Sequence, residues 1–222
     1  MIRTSTTLPL ALLLSVAACG RSPVNEQARP TNEVAVNAAM EPSPAIAFDA
    51  ASKKMRDAMM AAVGSDAGDN WVRKMIAHHQ GAIDMSKAAL QHSPNADAAK
   101  MARMTIDKQG KEIEDLRRLG KDGPPDQRSA ELYRPATETM DRAMKTASGA
   151  DVSETYLRKM IAHHTGAVEM SDVALRNGVS GAVKAQVEAT RSDQLAESKM
   201  VTAMLAGQPM DSTMSRVSNT QH

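Results

Sequence analysis

Four histidines and a set of methionines recur at fixed spacing, and they are the residues in this chain best suited to chemistry. His78 and His79 stand in the string KMIAHHQGAIDMSKAAL (74–90), which returns as KMIAHHTGAVEMSDVAL (159–175), an offset of 159 − 74 = 85 residues. The two strings agree at 12 of 17 positions, including Met75/Met160, His78/His163, His79/His164, Gly81/Gly166 and Met85/Met170. The stretches that follow, 91–120 and 176–205, keep only Thr105/Thr190, Gln109/Gln194 and Glu112/Glu197. An old duplication whose arms drifted while its His-His segments did not implies a constraint on those segments beyond being helical.

The residue types point to a metal. Imidazole suits several divalent ions, and thioether sulfur is a soft donor that selects Cu(I). At about 100° per residue on a helix, Met75, His78 and Met85 share one stripe with Trp71, Ala82, Ser86 and Ala89, and His79 bridges to Val72, Ile76, Ile83 and Leu90. Ala77, Gln80, Asp84, Lys87 and Gln91 form the opposite, solvated face, so Asp84 and Glu169 read as surface acids. The metal reading assigns Met75, His78, His79, Met85, Met160, His163, His164 and Met170 to copper, with Cu(I) favoured and Cu(II) possible. The plainer reading makes the same side chains helix core. Met55 and Met59 recur as Met140 and Met144 under the same offset and serve equally as supporting ligands or core. Gln109, Glu112, Gln194 and Glu197 are placed to accept the second N–H of a ligating histidine, or to hydrogen-bond between helices without metal.

Composition narrows the alternatives. The charge is balanced, with 27 basic and 26 acidic residues, so nucleic acid is not an expected partner. Phe48, Trp71, Tyr133 and Tyr156 are the only Phe, Trp or Tyr residues beside 17 methionines, so much of the apolar volume is flexible thioether. The single cysteine excludes an internal disulfide and thiolate metal sites.

These residues must be carried by helices. Residues 1–18 have the order of a secretory signal, with Arg3, an apolar run from Leu8 to Val16 and small residues before Cys19. Val16-Ala17-Ala18-Cys19 has the form of a lipobox, which makes Cys19 a lipidation site and the membrane a partner through that anchor. A bacterial envelope lipoprotein facing the periplasm is expected, with the outer membrane slightly favoured because Gly20 replaces a retention aspartate. Residues 19–48 read as a flexible tether, 49–206 as a helical domain with repeats at about 52–120 and 137–205, and 207–222 as a mobile polar tail. A helix from Asp49 is followed by one from Trp71 capped by Asp69-Asn70, then by one from Ala96 to Leu119; Pro135, Asp151 or Ser153, and Ala182 open the same series again. No strand pattern occurs. Two repeated helical hairpins with short flanking helices predict an all-α, antiparallel four-helix bundle.

The doubled Met-Ile-x-His-His-x-x-Ala-x-x-Met string, at Met75 to Met85 and Met160 to Met170, resembles the mark of the bacterial family catalogued as domain of unknown function 305. That resemblance covers about Asp49 to Ala206. It implies a ferritin-like bundle and a role like that of secreted, Met-rich copper-binding proteins of the CopM type, with the His and Met residues of both strings as copper ligands. Many members carry proline before the first histidine, where this chain has Ala77 and Ala162. No Glu-x-x-His occurs, as a di-iron oxidase would need, nor His-Glu-x-x-His. A non-enzymatic copper sequestration or handling protein is therefore expected, with a metal-free envelope interaction or pH-sensing module as the alternative.

Overall fold

A computed structural model describes residues 43–213. The expected signal segment, Cys19, nearly all of the tether and the last nine residues lie outside the described residues. Seven α-helices follow in order: α1 (Asp49–Ala61), α2 (Ala67–Gln91), α3 (Ala96–Leu119), α4 (Gln127–Ala130), α5 (Arg134–Thr146), α6 (Val152–Arg176) and α7 (Gly181–Leu205). Two 3-10 turns, Ile46–Phe48 and Glu131–Tyr133, precede α1 and α5. Among the described residues there is no strand, and no helix is long and apolar enough to cross a membrane.

The start of α2 lies earlier than the expected cap. Asp66, not Asp69-Asn70, is its N-cap, and its Oδ1 accepts from the Asp69 backbone N–H at 2.8 Å. Asp151 caps α6 in the same way through Glu154. Asn70 is free to do something else: its Oδ1 accepts from Gly64 N at 2.7 Å, tying the incoming loop to the helix. Thr155, the residue 85 positions on, accepts from Gly149 N at 2.9 Å. The duplication is thus preserved in buried turn chemistry where the sequence identity is lost.

Packing makes a helical bundle centred on α2 and α6, which lie against each other. Each pairs with its hairpin partner, α3 or α7, and α3 also contacts α6 and α7. The short helices do more than flank it. α1 covers α2, α5 covers α6, and α1 meets α5, so the two His-bearing helices are enclosed on the side away from their hairpin partners. Met55 and Met59 from α1, and Met140 and Met144 from α5, are buried in the single core that this creates. Gly81 and Gly166 permit the close approach. A Cβ on Gly81 would collide with the Met55 side chain, and one on Gly166 with Met140.

Two lysines of the repeated string are buried as well. Lys74 Nζ donates to the carbonyls of Met59 (2.9 Å) and Ala62 (3.0 Å), and Lys159 Nζ donates to Met144 O (2.7 Å). These carbonyls belong to the last turns of α1 and α5 and the residue just beyond α1, where helix backbones lack internal partners and carry partial negative charge. Beyond α7, the segment read as a mobile tail forms a further helical turn at residues 210–213. Met210 and Thr213 are buried there, Met210 N donates to Asp97, and Lys100 pairs with Asp211. The buried Met210 side chain and these two polar contacts together dock the turn.

Candidate metal centre

His78 and His163 sit where α2 crosses α6, and each is fully buried. Their rings stack with centroids 3.6 Å apart. The His78 Nε2 lies 3.1 Å from the His163 carbonyl oxygen, and the His163 Nε2 lies 3.1 Å from the His78 carbonyl oxygen. A carbonyl only accepts, so each Nε2 carries the proton and donates. Each Nδ1 then holds a bare lone pair, and neither has a partner. Burial, and after it the repulsion between neighbouring imidazoles, pushes both histidines well below the ordinary 6.5. They are neutral at neutral pH, which is the form that binds metals.

His79 and His164 flank this pair, with ring centroids 5.8 Å from His78 and 5.7 Å from His163 respectively. Each meets an acid from its own hairpin partner: His79 Nε2 is 3.0 Å from Glu112 Oε2, and His164 Nε2 is 3.2 Å from Glu197 Oε2. These are ion-pair distances without hydrogen-bond alignment, and the ring nitrogens of both residues are otherwise unpartnered. Lys108 closes the group from α3, with its Nζ at 2.6 Å from Glu197, 2.9 Å from Asp193 and 3.8 Å from Glu112. Burial alone would raise the Glu197 carboxyl, but His164 and Lys108 outweigh it and hold it at about 2. Burial would lower Lys108, yet its carboxylate neighbours raise it above the ordinary lysine value.

The four glutamine and glutamate positions singled out by the repeat therefore divide. Glu112 and Glu197 reach the histidines. Gln194 Nε2 donates to Glu197 at 3.4 Å, and Gln109, also buried, has neither amide atom paired. The methionines Met75, Met85, Met160 and Met170 are all buried in the same core. Met85 Sδ accepts from Ser52 Oγ of α1 at 3.8 Å, so that thioether is turned to the covering helix. Asp84 pairs with Lys54 at 2.8 Å, as a surface acid would. Lys74, Lys159 and Lys108 were not singled out by motif. A lysine at the edge of an apolar stripe, repeated 85 residues on, is the signal that exposes the first two.

Among the described residues, no three His, Cys, Asp or Glu side chains converge as a metal-holding group. The arrangement instead offers imidazole lone pairs singly or beside one carboxylate, within a thioether-rich core. A metal held here would need methionine sulfur or a modest shift of the rings to complete its coordination. Lys108 engages the Glu197 carboxylate, whereas Glu112 Oε2 stays without a hydrogen-bond partner beside His79. Imidazole nitrogens thus outnumber open carboxylate oxygens, a donor set that suits a softer ion better than a hard one, which takes oxygen ligands.

No curated protein and no solved structure matches the chain. A family model described as Domain of unknown function (DUF305) matches residues 21–120 and matches again over 121–205. These two segments divide the chain as the 85-residue offset and the paired helices do, so the protein belongs to the DUF305 family and carries its domain twice.

Proposed function

We propose that this protein binds copper outside the cytoplasm as cargo, for sequestration or handling, and is not an enzyme. The observation that carries the reading is the set of buried, unpartnered imidazole nitrogens, above all the Nδ1 lone pairs of His78 and His163. A buried polar atom left without a partner costs about 1–3 kcal/mol, and the core has several at the positions where the two repeats agree most closely. A metal ion would relieve that cost. His78, His79, His163 and His164 would supply nitrogen, with Met75, Met85, Met160 and Met170 as thioether donors and Met55, Met59, Met140 and Met144 in support. Glu112 and Glu197 would orient His79 and His164.

Metal analysis of protein purified without a histidine tag, followed by anaerobic Cu(I) competition titrations, tests this. Copper retained at a fixed ratio, and lost in the double variant His78→Ala with His163→Ala after correction for folded fraction, is the expected result. No copper above that of an unrelated helical protein would end the reading. One observation favours a metal-free role in the envelope: the reciprocal bonds between His78 and His163 join α2 to α6 without help from any ion. In that case the double variant and wild type would be equally free of metal, and the histidines would act only on stability. Anchoring at the membrane would rest on Cys19. Cys19→Ser should release the protein from the membrane fraction, and attachment unchanged by that substitution would refute a lipid anchor.

A further inference from the structure

Positions related by the 85-residue offset meet one another at three places. His78 stacks on His163, Lys108 pairs with Asp193, and Arg56 lies 3.7 Å from Asp141. The offsets are 163 − 78, 193 − 108 and 141 − 56, each equal to 85. A residue that faces its own repeat equivalent sits beside the internal two-fold axis. An interface between identical repeats would put the same side chain on both sides of that axis. At the histidines this is what occurs, and it works because an imidazole N–H and a backbone carbonyl can be exchanged symmetrically. At the other two positions identical residues would bring like charges together, and the chain has opposite charges instead.

We propose that Lys108/Asp193 and Arg56/Asp141 are pairing determinants that make the face between the repeats heterologous, so that the first repeat fits the second and neither fits a copy of itself. The partner that this face accepts is a DUF305 repeat of the complementary charge pattern. Lys108 carries more of the selection. It is surrounded by Asp193, Glu197 and Glu112, whereas Arg56 also binds Asp57 and Asp141 also binds Lys145. The inference does not depend on copper.

The test uses the full chain, free of metal, with melting temperature and size in solution as readouts. Lys108→Asp would set four carboxylates against one another and should lower the melting temperature by several degrees. Asp193→Lys alone should lower it less, since Glu112 and Glu197 remain to receive the new ammonium. Together the two substitutions rebuild the group in mirror image, because the two-fold places residue 193 toward Glu112 as residue 108 lies toward Glu197. Recovery of most of the lost melting temperature in this double variant, at the same size in solution as wild type, is the expected result. A double variant that loses at least the sum of the single losses, or a Lys108→Asp protein as stable as wild type, would overturn the proposal. The Arg56→Asp with Asp141→Arg pair should show the same sign of coupling with a smaller amplitude.

Discussion

The chemistry of the site turns on which nitrogen of His78 and His163 carries a proton, and the carbonyls opposite Nε2 decide it. With Nε2–H committed, Nδ1 is the ring atom left unpartnered, and thioether is the side-chain sulfur that the surrounding core holds in number. Met75→Leu with Met160→Leu separates filling from ligation, because leucine nearly conserves volume and such swaps cost under about 1.5 kcal/mol each. The fold should survive, Cu(I) affinity should fall, and part of the Cu(II) affinity should remain through imidazole; Cu(I) affinity equal to wild type would return these two methionines to the core. Lys74 makes a separate case. Its ammonium is costly to bury, and burial lowers its pKa from the usual lysine value, but it answers two carbonyls at the end of α1 that have no other donor in the helix. Lys74→Met keeps the stem and removes the donor, and should destabilise the protein by about 1–3 kcal/mol in denaturant unfolding. No loss would mean that water serves those carbonyls equally well.

At the scale of helices, the covering pair α1 and α5 rests on two glycines. Alanine is favoured over glycine inside a helix by about 1 kcal/mol, so Gly81→Ala would stabilise α2 if nothing lay against it. Met55 lies against it, through its Cβ and Cγ as well as its sulfur, and overpacking of that kind costs about 1–3 kcal/mol. The collision should win. Melting should show a net loss for Gly81→Ala that shrinks when Met55→Ala is added, and strict additivity would refute the contact. Much of this layer was legible in advance: the repeat located Met55, Gly81 and their partners, and proline, glycine and Asx punctuation gave most helix limits within a few residues. The cap of α2 was misplaced because Asp66, Asp69 and Asn70 are all good capping residues, and only the path of the loop back to Gly64 shows which two are used otherwise. The three-residue turns before α1 and α5 are too short to show a period, and the docked Met210 is a single apolar residue in a polar stretch, so the sequence pattern reveals neither. Periodicity placed the histidines in the core-facing arc but not against each other, because a helical wheel does not say which buried neighbour a residue meets.

For the molecule as a whole, the buried histidines make stability depend on pH in a direction that follows from their shifts. His78 and His163 have folded values well below 6.5, with burial the main cause and neighbouring imidazoles adding to it. In the unfolded chain they would titrate near the ordinary value of about 6.5. Above 6.5 neither state holds the extra protons and the histidines leave stability unaffected by pH. Below it the unfolded chain takes them up first, so stability falls as pH falls, until the folded values are reached and the core itself is protonated. The slope approaches about 1.4 kcal/mol per pH unit for each histidine, or about 2.7 for the pair while both remain unprotonated in the folded state. Glu197 acts in a lower window with the same sign: its folded value of about 2 against an ordinary 4.5 gives stability that is present above 4.5 and lost as pH falls toward 2. Between pH 7 and 5.5 the histidines therefore dominate, and denaturant unfolding of metal-free protein should show a steep decline that His78→Gln with His163→Gln flattens. Bound copper should move the decline to lower pH, because the ion competes with protons for the same lone pairs. A flat profile in the metal-free protein over that range would show that water reaches the two rings and that the core around them is open.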